Sequence, residues 1–323
     1  MNKGTASSKI DRTGIRGYAL IAAACLFWAL SGVLAKFLFS SRPLNPLLLV
    51  QFRLLTSFLI LAAVLAARSP GDLIIRRRDV GFFLVYGSVG MAMVQLSYFT
   101  AIREGTVSTA IFLQYLAPAI TAAYAVLWVR QKAPPGLVIN LGLAMGGSAL
   151  LLLGGGGLST TPLGVLAGVS SAAFMSFYAI YGSKGVAMYS PPTVLVYALG
   201  VGAVFLLPLA KPWQVLALGW GPADWLFVLY MAVLGTLVPF SLFLSGLKQV
   251  EPVQATLTAM LEPVLATTGA WLLLGESLLP LQAAGGLLIL TAVGRLQLSR
   301  QGRAPGPSSQ QIRDGQEHRD QSV

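Results

Sequence analysis

The chain has 323 residues, of which 55% are hydrophobic and only 10% charged. A soluble domain carries about 25% charged residues, so this composition cannot cover a soluble surface. One Cys and one His exclude a disulfide-stapled secreted domain and argue against a Zn site, and the formal charge of +11 is spread between apolar runs, so it does not point to nucleic acid.

A bilayer core of about 30 Å is crossed by about 20 apolar residues as a helix. In chain order the predicted spans are Gly17–Leu38, Pro46–Ala67, Val80–Ile102, Thr106–Val129 and Gly136–Leu153, then Pro162–Lys184, Pro192–Leu209, Trp225–Leu247, Pro252–Leu274 and Leu279–Leu296. Backbone groups in lipid must be paired internally, so helices are expected, and no short alternating segments of a β-barrel are seen. The first span is too long for a signal-peptide core, and Cys25 within it reads as a small buried residue.

Basic residues orient the chain. By these spans, 17 of the 22 Lys and Arg lie on one side, among them Lys3, Lys9, Arg76, Arg77, Arg78, Arg130 and Arg300. Lys36, Arg42, Arg103 and Lys211 lie on the other, and Arg53 sits inside a span. The positive-inside rule puts both termini in the cytoplasm of a multi-pass protein of the cell's inner membrane, as an even number of spans requires. Residues 1–16 form a cytoplasmic tail, and 297–323 a polar tail expected to be disordered.

The chain repeats weakly at a shift of about 145. Asp79 matches Asp224, Gly90 matches Gly235, Arg103 matches Lys248, Ala110 matches Ala255 and Pro118 matches Pro263. At a shift of about 150, Phe27-Trp28-Ala29-Leu30-Ser31-Gly32 matches Phe177-Tyr178-Ala179-Ile180-Tyr181-Gly182. The expected architecture is all-α and integral to the membrane. Ten transmembrane helices form two five-helix repeats, 17–153 and 162–296, joined by a Gly-rich linker at 154–161. Five is odd, so the repeats have inverted topology, which suits alternating access.

Further signals are Phe27-Trp28-Ala29, Arg53, Leu261-Glu262-Pro263-Val264, Gly275-Glu276, and Gln282 with Gly285-Gly286. With these the chain resembles the drug/metabolite transporter superfamily, specifically its EamA-type ten-helix members, from about Gly17 to Leu296. The first half departs from the pattern: Ala117 precedes Pro118 where an acid would stand, and Gln131 takes the place matching Glu276. The resemblance implies export or exchange of small metabolites, amino acids among them, or of drugs.

Glu262 is the one acid deep within a span, where a charge costs about 2.5–3.5 kcal/mol unless it faces protein or water. Gln254, Thr258 and Glu262 recur every four residues and predict one polar helix face. Two readings of Glu262 stand: a site for a proton or a substrate amine, and a structural hydrogen bond beside Pro263. Arg53 falls at a similar depth, so it pairs with Glu262, holds a substrate carboxylate or backbone carbonyl, or snorkels. An aromatic and polar set is expected to bind substrate: Trp28, Gln95, Tyr98, Gln114, Tyr178 and Tyr181, with Thr258 and Glu262. Ordinary helix packing is the competing reading of that set. Gly142-x-x-x-Gly146 and Gly164-x-x-x-Gly168 predict close helix contacts.

No G-x-x-x-x-G-K-[ST], H-E-x-x-H or G-x-S-x-G is present, and the lone His318 lies in the tail. The expected function is therefore not enzymatic and uses no cofactor. It is secondary transport of a small solute across the bilayer, first amino-acid export, with a proton as the candidate coupling ion. Multidrug efflux is the alternative within the class, and a channel or intramembrane enzyme the alternative outside it.

Overall fold

The computed structural model describes residues 4–41, 45–133, 136–213, 219–274 and 278–301, with side chains described from Gly14 and not for 33–41, 270, 273–274 or 297–301. Gly275-Glu276, Arg42, the Lys36 side chain and the tail after 301 lie outside that description. The described residues are helical, apart from turns and one isolated bridge between Gly105 and Thr160. The helices are α1 (Gly4–Ser41), α2 (Pro46–Arg68), α3 (Arg77–Glu104), α4 (Val107–Trp128), α5 (Leu137–Gly154), α6 (Pro162–Met188), α7 (Pro191–Ala210), α8 (Pro222–Leu247), α9 (Pro252–Ala259), α10 (Leu261–Leu274) and α11 (Pro280–Gln301). Among the described residues eight helices are long and apolar enough to cross a membrane, and Pro280–Leu296 is a shorter apolar one. The span expected at 252–274 is divided into α9 and α10 at Met260. Helix also runs past two expected limits, back to Gly4 in α1 and on to Gln301 in α11.

Sequence chemistry sets the helix starts. Proline at the first turn begins α2, α6, α7, α8 and α9, where its missing N–H costs nothing. Asn45, Thr106, Thr161 and Ser190 cap their helices through side-chain oxygens, with Asn45 Oδ1 accepting from the Leu47 N–H at 3.0 Å.

The same chemistry sets the interruptions. Pro118 has no N–H for the Gln114 carbonyl four residues back, and α4 turns at Tyr115–Leu116. Pro263 leaves the Ala259 carbonyl in the same position, and the chain turns at Met260. Wide π-type turns occupy Tyr86–Ala92 in α3 and Val233–Leu237 in α8. Each of these four interruptions has its counterpart about 145 residues away, whereas a further π-type turn at Tyr124–Trp128 in α4 falls opposite regular helix in α10.

Packing also comes in matched sets. α1 lies along the last part of α8, and α6 lies along the last part of α3. α4 packs on α6, and α9 and α10 pack on α1. α2 pairs with α7, and α5 with α11. The α5–α11 crossing is backbone against backbone: a Cβ on Gly147 would lie 2.6 Å from the Gly285 carbonyl, and one on Gly285 2.6 Å from the Gly147 carbonyl. Gly142 and Gly146, expected at a close contact, would meet nothing within 4 Å, so the register of this crossing differs from the expected one. Gly164 and Gly168 do pack tightly, against Thr160 and Leu113.

The loop between α2 and α3 is tied to the start of α7. Tyr189 donates to Asp79 Oδ2 at 2.5 Å, Ser190 donates to Asp72 Oδ1 at 2.8 Å, and Thr193 donates to the Asp72 carbonyl at 2.8 Å. Partial burial and the Asp79 carboxylate both hold the Tyr189 phenol above its usual range, by disfavouring a second negative charge.

Gly285→Val forces apart two backbones that cannot yield by rotamer change. It is expected to lower the unfolding free energy in detergent by about 1–3 kcal/mol. Gly142→Ala, on an open surface, leaves the melting temperature within about 2 °C or raises it. Thermal denaturation of the two variants checks the assignment.

Candidate functional site

A narrow cavity of about 50 Å³ lies among α1, α2, α3, α4, α6, α8, α9 and α10. Its walls are largely apolar: Trp28, Val94, Phe99, Ala117, Pro118, Met175, Phe240 and Ala259. Its polar groups come from Ser31, Arg53, Gln95, Tyr98, Gln114, Tyr115, Thr256 and Glu262. A mostly apolar recess with a few convergent polar groups is the usual form of a small-molecule site.

Glu262, in the first turn of α10, is 4% exposed. Tyr115 Oη lies 2.9 Å from Glu262 Oε2 and also 2.9 Å from the Ala259 carbonyl. Tyr98 Oη stands 3.5 Å from Glu262 Oε1. The Ala259 carbonyl is the one that Pro263 leaves without a helical donor, and Cys25 Sγ approaches it at 3.5 Å. A phenol has one proton to give. With Glu262 ionised, Tyr115 donates to the carboxylate. With Glu262 protonated, the acid donates to Tyr115 and Tyr115 donates to Ala259. The geometry accommodates both protonation states.

Arg53, on α2, is 1% exposed. Its Nε donates to Thr236 Oγ1 at 2.9 Å and its Nη2 to the Gly235 carbonyl at 2.8 Å. Pro239 has no N–H for that carbonyl four residues back, so Arg53 takes the donor's place. The guanidinium carbon lies 4.2 Å from the centre of the Phe99 ring. Arg53 and Glu262 line the same cavity but form no ion pair, and each is held by neutral partners.

Of the residues expected at a substrate site, Trp28, Gln95, Tyr98, Gln114 and Glu262 come together on this lining. Tyr178, Tyr181 and Thr258 do not. Tyr178 is fully buried, stacked on Tyr86 with centroids 5.0 Å apart. Tyr181 stacks between Phe82 and Phe177, with Lys184 above it. Thr258 is buried and donates to the Gln254 carbonyl at 2.7 Å. Gln254 accepts from Tyr18 at 3.1 Å instead of joining a polar stripe. The turn at Met260 breaks the four-residue periodicity and presents Thr256, Ala259 and Glu262 to the cavity at three-residue spacing. Sequence periodicity missed Thr256 and Phe240. Pro263 signals the break that brings Thr256 round, and the shift of 145 would have matched Phe240 to Gln95.

Trp28 and Tyr178, matched by the repeat, do meet around common neighbours. Trp28 contacts Phe240 and Phe243 at 5.2 and 5.5 Å between centroids, and Tyr178 contacts the same two rings at 5.3 and 6.1 Å.

The apolar spans, the interrupted helices and the central recess define a multi-pass membrane transporter, and comparison with known proteins agrees. The EamA-like transporter family model matches residues 15–153 and 162–295, and the chain belongs to that family. It is 30% identical over 298 residues, 90% of this chain and 97% of the other, to YicL, an uncharacterized inner membrane transporter of Salmonella typhimurium. It is 27% identical over 259 residues, 78% of this chain and 86% of the other, to a protein of Streptantibioticus cattleyicolor named as a probable terminal-alkyne amino-acid exporter. A solved crystal structure at 20% identity superposes with a TM-score of 0.68, over 92% of this chain and 99% of that one, and shows the same fold.

The Gln95 amide contacts only Met91 Sδ, at 3.6 Å, and the Gln114 amide makes no hydrogen bond to the described residues. Both are available to a ligand. Gln95→Leu and Gln114→Leu are expected to raise the KM for transport about two- to tenfold, the worth of one lost hydrogen bond. Tyr181→Phe, on the packed aromatic stack, leaves KM within about twofold. Uptake kinetics in vesicles with matched expression distinguish the two sets.

Proposed function

We propose that this chain is a secondary carrier that exports amino acids or closely related metabolites across the inner membrane by alternating access, with both termini in the cytoplasm. The observation that carries the reading is the cavity itself. It lies where the two halves meet, and its apolar walls enclose one buried carboxylate and one buried guanidinium. An amino acid offers the complement: an ammonium, a carboxylate and an apolar side chain. The relative named as an amino-acid exporter supports the same solute class.

Alternating access draws support from the matched halves. Helix turns at Tyr115–Leu116 and Met260, and π-type turns at Tyr86–Ala92 and Val233–Leu237, recur at the same shift as the sequence repeat. The pairings of α1 with α8 and of α6 with α3 exchange under that shift, as they do for an inverted repeat of ten spans. Two such halves that differ slightly in conformation interconvert by exchanging those conformations.

Glu262 is the proton site in this reading. Tyr115 follows its state, giving its proton to the carboxylate when Glu262 is ionised and to Ala259 when it is protonated. The Ala259 carbonyl sits at the turn between α9 and α10, so proton occupancy reaches a hinge. The ionisable groups around Glu262 are Tyr98 from α3, Tyr115 from α4, Cys25 from α1 and Arg53 from α2.

Counterflow in proteoliposomes loaded with mixed amino acids and small metabolites tests the proposal. Saturable exchange of amino acids is expected, together with a rate that changes across an imposed pH gradient. Glu262→Gln cannot lose a proton, so its exchange is expected to continue with a flat pH profile. Exchange confined to bulky organic cations would favour multidrug efflux. A linear, unsaturable flux would favour a channel.

A further inference from the structure

We infer that Arg53 anchors the carboxylate of the transported solute through Nη1, so that the carrier selects carboxylate-bearing solutes over their neutral amides. The inference rests on the transporter reading above and deepens it by assigning one end of the solute to one atom.

A guanidinium carries five N–H donors on three nitrogens. In Arg53 the Nε and Nη2 edge is taken by Thr236 and Gly235. One flat face is covered by Phe99. Nη1, with two N–H groups, is buried and has no hydrogen-bond partner. No carboxylate pairs with Arg53 among the described residues. Glu262, the acid in the same cavity, is engaged by Tyr98 and Tyr115. A buried cation with unfilled donors and no counter-charge is costly, and proteins rarely keep one without a use. The packing that burdens Arg53 also holds it rigid: two hydrogen bonds and a ring fix the guanidinium, leaving one unused nitrogen. A carboxylate entering the cavity supplies both the missing acceptor and the missing charge.

A structural role alone accounts for two of the three nitrogens. The Gly235 and Thr236 contacts satisfy the π-type turn of α8, and a lysine or glutamine reaching the Gly235 carbonyl would suffice for that. The third nitrogen is what a structural role does not use.

The test is competition in counterflow, using labelled leucine as the probe. The competitors are leucine, leucinamide and 3-methylbutylamine, which differ only in the carboxylate end. For the wild-type carrier, leucine is expected to compete about 10- to 100-fold better than leucinamide, as loss of one hydrogen bond to a charged group implies. For Arg53→Gln the ratio is expected to fall to near one, with leucinamide itself binding as in the wild type. Equal competition by leucine and leucinamide in the wild type overturns the inference, and this arm needs no variant to fold. A variant that keeps the wild-type ratio while losing thermal stability also overturns it, leaving Arg53 a structural residue. Labelled leucine that does not exchange, while 3-methylbutylamine or larger cations do, overturns both this inference and the amino-acid reading. Leucine exchange without acid selectivity overturns this inference alone.

Discussion

A backbone carbonyl without a donor is expensive inside a membrane protein, and the centre of this structure is organised around two of them. Pro239 withholds an N–H from Gly235, and Pro263 withholds one from Ala259. Each is rescued by a side chain from the other half of the chain. Arg53 of α2 donates to Gly235, and Tyr115 of α4 reaches Ala259. The rescuers are the residues that also line the cavity. The prolines therefore do three things at once. They break second-half helices, they recruit polar side chains into an apolar interior, and they join the halves through those side chains.

This arrangement links the cavity lining to the interruptions of the helices. The Gly235 carbonyl belongs to the π-type turn of α8, and the Ala259 carbonyl to the turn between α9 and α10. A ligand or proton that changes what Arg53 or Tyr115 must satisfy changes the support of a helix interruption. In a uniformly helical bundle, the same event would perturb only side chains. Interrupted helices at a central site give a carrier backbone groups to bind with and places to bend.

Much of the fold was legible because bilayer length and hydropathy act on whole segments. The spans expected at Pro46–Ala67 and Pro162–Lys184 appear as α2 and α6, with ends shifted by a few residues. The site was legible where one residue sufficed: Arg53 and Glu262 are conspicuous charges in apolar runs, and both line the cavity. It was illegible where a face had to be projected along a helix. Carrying a four-residue period from Gln254 through Thr258 to Glu262 assumes a continuous helix, and the turn at Met260 rotates the segments relative to each other. The same limit applies to Gly142 and Gly146, whose spacing suits a close contact while Gly147 makes it. Spacing identifies a stripe, but the rotation of the helix selects which stripe is used, and distant partners set that rotation.

The two halves share a backbone plan and differ in the side chains placed on it. At a shift of 145, Arg53 matches Ala198, and the Gly235 that Arg53 supports matches Gly90. In the first half no arginine props the π-type turn. There Gly87 lies directly against α7, where a Cβ would come 2.5 Å from Val201 and 3.0 Å from the Ala198 carbonyl. Gln95 matches Phe240 in the same way, and Trp28 matches Tyr178 at a shift of about 150, yet Trp28 lines the cavity while Tyr178 is sealed in a ring stack. A strictly symmetric pair would present the same chemistry to both sides of the membrane and bind a solute in two equivalent ways. Placing the guanidinium, the carboxylate and the amides on one version of each matched position gives the cavity a single polarity. In the proposed carrier reading, a solute with distinct ends then takes one orientation in the cavity, and the matched halves supply two related conformations for release on either side.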